Sequence, residues 1–224
     1  MNIVITGAGR GIGFAMTESF LNDGHHVVAI SRSIEKLKAI DNPGLFSISF
    51  DLQSRDYSPV VDKVSTVFNT FDVLINNAGA LVAKPLLELQ DDDFDVLFDV
   101  NVKAAFKMVS SLIPFMNKGS HIINISSMGG FQGSTKFQGL SLYSASKGAL
   151  NVLTESMALE LASDKISVNA LALGAVQTEM LAAAFPGYEA PLKPEEMAAF
   201  IKDFALTGHR VFNGKILPVS LSTP

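Results

Sequence analysis

Tyr143 and Lys147 stand four residues apart in the run Leu142-Tyr143-Ser144-Ala145-Ser146-Lys147-Gly148-Ala149. On a helix that spacing sets a phenol and an ammonium on one face, where the cation stabilises the phenolate. At about 4 Å and an effective dielectric of about 20 the attraction is about 4 kcal/mol. One pKa unit corresponds to about 1.4 kcal/mol, so the pair predicts a phenol drawn far down from its ordinary value of about 10. Such a tyrosine passes a proton to or from a substrate oxygen at physiological pH. The same spacing also occurs on many plain amphipathic helices, so its meaning depends on the residues upstream.

The first of those is Thr6-Gly7-Ala8-Gly9-Arg10-Gly11-Ile12-Gly13, placed between an apolar run and an apolar helical pattern. Glycines there let the backbone turn sharply and approach a pyrophosphate, whose charge the free amides of a helix N-terminus accept. The spacing is Thr-Gly-x-x-x-Gly-x-Gly and not Gly-x-Gly-x-x-Gly, because the sixth position is Ile12 counted from Gly7 and Phe14 counted from Gly9. An acid at the end of the second strand would bind ribose hydroxyls and repel a 2′-phosphate. The chain instead reads Val27-Val28-Ala29-Ile30-Ser31-Arg32. Arg32 and Arg10 are therefore expected to pair with a 2′-phosphate, with Ser31 beside them, which favours NADP(H) while leaving NAD(H) possible. Two solvated surface arginines are the plain alternative.

These groups need a scaffold that brings distant segments to one edge. Short β-branched runs alternate with longer helix-period stretches, the pattern of repeated βαβ units around a parallel sheet. Strands are expected near 2–6, 26–31, 45–50, 72–76, 120–125, 165–171 and 215–219, and helices near 11–22, 33–40, 56–70, 91–117, 142–163 and 194–206. Asp91, Asp92 and Asp93 suit the start of the fourth helix, and Pro194 with Glu195 and Glu196 the start of the sixth. Segment 175–193, with Phe185, Tyr188 and Pro191, is too long for an ordinary connection. It reads either as a substrate lid or as a surface loop with two aromatics packed down.

A chain of 224 residues, 48% hydrophobic and 17% charged, suits one domain with a large core spanning 1–224. A net charge of −5 leaves no basic surplus for a phosphate backbone, so no nucleic acid partner is expected. No stretch reaches the length of apolar residues that a membrane helix needs, and Asn2–Thr6 reads as a strand and not as a leader. Without cysteine there is no disulfide framework or thiolate nucleophile, in keeping with a cytoplasmic location. His25, His26, His121 and His209 fall in no metal-ligand spacing, and no metal is expected.

Taken in order, Thr6-Gly7 through Gly13, Asp51-Leu52, Asn76-Asn77-Ala78-Gly79, Asn101, Ser126-Ser127, Tyr143 with Lys147, and Asn169 through Thr178 resemble the classical short-chain dehydrogenase/reductase family over nearly the whole chain. The resemblance implies an α/β fold, a doubly wound Rossmann-type three-layer sandwich with a seven-stranded, mostly parallel sheet in the order 3-2-1-4-5-6-7. It implies that Ser127 polarises the substrate oxygen, that Tyr143 moves the proton, and that Lys147 lowers the Tyr143 pKa and binds the nicotinamide ribose. Asn101 would hold a water linking Lys147 to solvent. Around the cofactor it implies Gly7, Gly9, Gly11, Ile12 and Gly13 at the phosphates, Asp51 and Leu52 beside the adenine, and Asn77, Ala78 and Gly79 as a wall of the cleft. Gly174, Val176 and Thr178 would lie at the nicotinamide. Ser126 competes with Ser127, but adjacent strand residues face opposite ways, so one alone should reach the cleft.

Three features depart from the family pattern: Leu173 replaces a usual proline, the interval from Ser127 to Tyr143 is longer than usual, and the tail ends Leu221-Ser222-Thr223-Pro224. The longer interval predicts an enlarged loop, Phe131 to Phe137, at the mouth of the site. The expected activity is hydride transfer between a nicotinamide and a small-molecule carbonyl or secondary alcohol. The rival from another class is a non-catalytic dinucleotide-binding redox sensor, and a hydrolase lacks its Gly-x-Ser-x-Gly elbow. Family members commonly pair through their fourth and fifth helices. Here Phe98, Val102, Phe106 and Val109, and Leu150, Leu153, Met157 and Leu161, are the apolar faces expected for a homodimer or homotetramer.

Overall fold

The computed structural model describes residues 1–221; 222–224, where the tail departs from the family ending, lie outside the described residues. Seven strands, β1 (Asn2–Thr6), β2 (His26–Ser31), β3 (Leu45–Ser49), β4 (Phe71–Asn76), β5 (Met116–Ser127), β6 (Ser167–Leu173) and β7 (Ile216–Val219), form one sheet. Their order is β3-β2-β1-β4-β5-β6-β7, as expected. Every pairing is parallel, and Ile5 sits in register between Ala29 and Ile75.

Period-two alternation divides the strand side chains between two cores. Ile3, Ile5, Val27, Ala29, Val73, Ile75, Ile123 and Leu171 pack on one face against Met16 and Phe20 of α1 (Gly11–Asn22) and Ile201 and Phe204 of α8 (Pro194–Thr207). Val4, Val28, Ile30, Leu74, Ile122 and Val168 face the opposite layer. There they meet Val60 and Val64 of α3 (Ser58–Val67), Met108 and Leu112 of α5 (Ala104–Leu112) and Met157 of α6 (Ser141–Glu160). Each fully buried aliphatic or aromatic side chain of this kind stabilises the fold by about 1.5–3 kcal/mol.

The helix expected over 91–117 is not continuous. It divides into α4 (Asp91–Phe98), a π-helical stretch Asp99–Lys103, and α5, then tightens to a 3₁₀ turn at Ile113–Phe115. Pro114 has no N–H to continue the ladder, and β5 begins at Met116, earlier than expected. Within the acidic run it is Asp93 that caps α4, its carboxylate accepting from the Gln90 N–H at 3.0 Å. Glu196 does the same for α8 by accepting from the Lys193 N–H at 2.8 Å. The candidate at 33–40 shrinks to α2 (Glu35–Lys38), and one further helix, α7 (Glu179–Ala184), interrupts segment 175–193. No described helix is long and apolar enough to cross a membrane.

Candidate active site

Because the strands are parallel, the loops after Thr6, Asn76, Ser127 and Leu173 leave the sheet at one edge, and the candidate residues cluster there. Ser127 is the last residue of β5. Its Oγ accepts from the Gly129 N–H at 3.2 Å, and its side chain lies near enough to the Tyr143 phenol to lower that group's pKa. Ser126, one residue earlier, faces the other way: it is buried and donates to the Lys147 carbonyl at 3.3 Å. Tyr143 and Lys147 both lie near the start of α6. Lys147 is 4% exposed, and its Nζ donates to the Ile125 carbonyl at 2.8 Å and stands 6.0 Å from the centre of the Tyr143 ring.

The electrostatics differ from the expected pairing. Burial pushes the Tyr143 phenol above its ordinary value, and the Ser127 side chain opposes this only in part. Burial pulls Lys147 itself down to about 8, and its ammonium is anchored on a β5 carbonyl, 6.0 Å from the centre of the Tyr143 ring. Desolvation disfavours both charged forms, the buried Lys147 ammonium and the partly buried Tyr143 phenolate.

Asn101 occupies the π-helical stretch and is buried. Its Oδ1 accepts from the Ala80 N–H at 2.8 Å, and its Nδ2 donates to the Ala80 carbonyl at 3.0 Å and to Ser146 Oγ at 2.9 Å. The side chain thus joins three elements, and both amide protons are committed to protein groups. Extra backbone in a π turn is a usual way to re-aim one side chain. Gly79 leaves room beside these groups: a Cβ there would lie 3.4 Å from Asn101 Oδ1 and 3.6 Å from Lys147 Nζ.

Two residues that hold the site were not singled out from sequence. Thr6 Oγ1 accepts from the N–H groups of Asn77 and Ala78, both at 3.1 Å, tying the loop after β4 to the end of β1. Ser146 receives the Asn101 amide and donates to the Tyr143 carbonyl at 2.7 Å. Thr6 opens the glycine motif, and Ser146 directly precedes Lys147, so position beside a motif was the available signal.

In the glycine loop, most glycines are required by protein packing. A Cβ on Gly13 would lie 2.2 Å from the Gly7 carbonyl oxygen, one on Gly7 2.8 Å from Ala78 Cα, and one on Gly9 2.5 Å from Ser31 Oγ. Asn77 Nδ2 donates to the carbonyls of Thr6 at 3.0 Å and Gly7 at 3.3 Å. Gly11, at φ +53°, needs a left-handed backbone. It opens α1 behind Arg10, an extended N-cap whose side chain makes no capping bond, and the first turn carries no acid. The positive end of α1 therefore lacks the usual local acceptor, which fits a pyrophosphate. Ile12 packs on the core behind the loop. Arg10 and Arg32 are exposed, and among the described residues neither is in an ion pair. Asp51 is exposed and caps a turn by accepting from the Gln53 N–H at 3.0 Å, while the Leu52 carbonyl accepts from the Tyr57 hydroxyl at 2.7 Å.

Gly174 has a packing reason, since a Cβ would lie 2.3 Å from Ser220 Oγ. Val176 is buried and bridged to Leu192, and Thr178 caps α7 by accepting from the Leu181 N–H at 3.2 Å, keeping its own proton to donate. Segment 175–193 is folded back on itself by Gln177, whose N–H donates to the Leu192 carbonyl and whose Oε1 accepts from the Ala190 N–H. Phe185 is partly buried, but Tyr188 is half exposed and not packed down. The enlarged loop is held by Ser134, which donates to the carbonyls of Met128 and Phe131, and by Lys136, which donates to the Phe131 carbonyl. At its far end the Gly139 carbonyl accepts from the Lys84 N–H at 3.0 Å, joining it to the loop after β4.

The family model for short chain dehydrogenases matches residues 1–189. An uncharacterized oxidoreductase of Staphylococcus aureus (strain MW2) is 32% identical over 211 residues, covering 91% of this chain and 90% of its own. Among solved structures, 4-hydroxyisoleucine dehydrogenase complexed with NADH superposes with a TM-score of 0.86 at 26% identity, covering 98% of this chain and 96% of that one. A short chain dehydrogenase from Burkholderia cenocepacia J2315 in complex with NADP gives 0.85 at 26% identity, covering 97% and 95%. Fold and site together define the class, a nicotinamide-dinucleotide-dependent oxidoreductase acting on CH–OH and C=O groups. The chain belongs to the short-chain dehydrogenase/reductase family.

Proposed function

We propose that the protein is an NADP(H)-preferring reductase of small carbonyl compounds, or the corresponding alcohol dehydrogenase in reverse, with Tyr143 as proton donor and acceptor. The observation that carries this reading is the convergence of the Ser127 side chain and the Tyr143 phenol beside a buried Lys147 ammonium, at the carboxyl edge of the sheet. A carbonyl oxygen placed between Ser127 and Tyr143 accepts from two neutral hydroxyls as charge develops on it. Lys147 keeps a positive charge behind the phenol, and Asn101 fixes the start of α6 through Ser146. When bound, the dinucleotide supplies or removes the hydride. Its diphosphate would rest on the N–H groups at the start of α1, and its nicotinamide end beside Gly79, Val176 and Thr178, where Lys147 would reach the ribose.

The preference for NADP(H) rests on the two exposed guanidiniums of Arg10 and Arg32 and on the lack of an acid at the end of β2. The two similar structures named above carry one dinucleotide each, NADH and NADP, so the comparison supports the nicotinamide and the arginines support the choice. Side-by-side calorimetric titration with NADPH and NADH tests it. Arg32→Ala is expected to weaken NADPH about tenfold or more and leave NADH within about twofold. Equal affinities in both proteins would contradict the assignment. The redox-sensor reading predicts no turnover on any carbonyl or alcohol.

We further read 1–224 as one domain, located in the cytoplasm and forming a homodimer or homotetramer. The apolar faces named from sequence need revision for that role. Val109 and Met157 are buried in the core, Leu150 is buried as well, and Leu153 and Leu161 pack against the core. The large apolar side chains left exposed on these helices are Phe94, Phe106, Val152 and Leu159, at 44%, 49%, 63% and 81% exposure.

A further inference from the structure

We propose that Glu179 sets the affinity for the dinucleotide by competing, as a built-in anion, for the N-terminus of α1. This rests on the assignment of that helix end to the diphosphate. Glu179 is the first residue of α7, yet its Oε2 lies 3.8 Å from where a Cβ on Gly11 would stand, beside the Thr178 side chain. Gly11 is the residue at which α1 begins, with no acid in its own first turn and no side-chain cap. The carboxylate therefore stands close to where α1 lacks an acid of its own, and a negative charge there is favourable until a second anion arrives. Lys36 of α2 lies 3.6 Å from Glu179 Oε1 across a groove of about 460 Å³ whose lining includes Gly11, Phe14, Thr178 and Glu195. Both partners of that pair are more than half exposed, so the ion pair restrains the carboxylate weakly and leaves it free to move.

A diphosphate arriving at Gly11 meets this carboxylate. It must either bear the repulsion or displace Glu179, and with it the start of α7, whose cap Thr178 adjoins the nicotinamide end of the cleft. The penalty depends on the diphosphate alone, so it falls equally on NADH, NADPH and ADP-ribose. A role for Arg32 at the 2′-phosphate would separate NADPH from the other two.

Calorimetric titration of the wild-type chain, Glu179→Gln and Lys36→Met with those three ligands at low and high salt tests the proposal, with thermal melts of the free proteins to establish folding. Glu179→Gln should tighten all three by about three- to tenfold at low salt, and the gain should shrink at high salt as the Debye length falls. Lys36→Met, which removes the partner that partly neutralises the carboxylate, should weaken all three by about twofold or more at low salt. Unchanged or weaker binding of all three to Glu179→Gln overturns the proposal, as does an effect confined to NADPH, which would place Glu179 at the 2′-phosphate. Wild-type protein that binds none of the three, or whose binding is indifferent to Gly11→Val, would instead overturn the cofactor site itself.

Discussion

At the scale of single residues the proposed reaction centre depends on two groups that burial moves in opposite senses, Tyr143 upward and Lys147 down to about 8. Under the proposed mechanism, reduction needs the phenol protonated and the ammonium charged. Both hold below about pH 8, so kcat/KM for carbonyl reduction is expected to be level up to there and to fall about tenfold per unit above it as Lys147 loses its proton. A profile that rises through pH 8 to 10 would contradict this order. Tyr143→Phe should lower kcat by about 10²-fold or more with dinucleotide affinity within about twofold, as measured by parallel kinetics and titration. Lys147 also carries a stability cost. Its folded pKa lies below its ordinary value of 10.5, so the unfolded chain holds more protons between those two values and stability rises with pH across that window. Below pH 8 the penalty is present in full, about 3 kcal/mol at most. Lys147→Met should therefore be inactive yet about 1–3 kcal/mol more stable at pH 7 in urea unfolding.

Among elements, the π-helical stretch between α4 and α5 is what carries Asn101 to the cleft. An unbroken helix over 91–117 would turn that side chain away from Ala80 and Ser146. Periodicity read in apolar residues does not register a single inserted backbone position, so the sequence suggested one helix. Asn101→Ala leaves the Ala80 N–H and carbonyl and the Ser146 hydroxyl without this partner, and should cost about 1–3 kcal/mol in urea unfolding together with a loss of activity. Asn101→Asp keeps the acceptor for the Ala80 N–H but removes both donated bonds, and should be intermediate in stability.

For the whole molecule, a second polar group lies at the opposite end of the sheet. His121 in β5 is 1% exposed, with Nδ1 3.1 Å from the Ala205 carbonyl of α8 and Nε2 3.0 Å from Asn169 Nδ2 of β6. This arrangement suits a neutral ring that donates at one nitrogen and accepts at the other, and burial holds its pKa down to about 4. The unfolded chain takes up this proton at about pH 6.5. Stability is thus complete above that value and lost as pH falls toward 4, by about 3 kcal/mol. Urea unfolding of the wild type between pH 7 and 4.5 should show this loss, and His121→Gln should flatten it. Self-association belongs to the same scale. Sedimentation should give a species larger than a monomer, and Leu159→Glu should shift it toward the monomer if the exposed stripe of α6 is the contact.

Local chemistry determined a large part of this protein. Alternating β-branched runs specified strands buried on both faces, capping acids specified helix starts, and the order of short motifs specified the family and the candidate residues. Those features depend on neighbours in the chain, so they are legible there. What only the tertiary structure decided is how distant groups meet: the Thr6 hydroxyl under Asn77 and Ala78, Asn101 between Ala80 and Ser146, Glu179 beside Gly11, and which stripe of α6 remains exposed. It also reversed the sense of the Tyr143 shift. Spacing along a helix supplies a distance between two charges, but the burial that desolvates them comes from residues far off in sequence, and in this site burial is the larger effect.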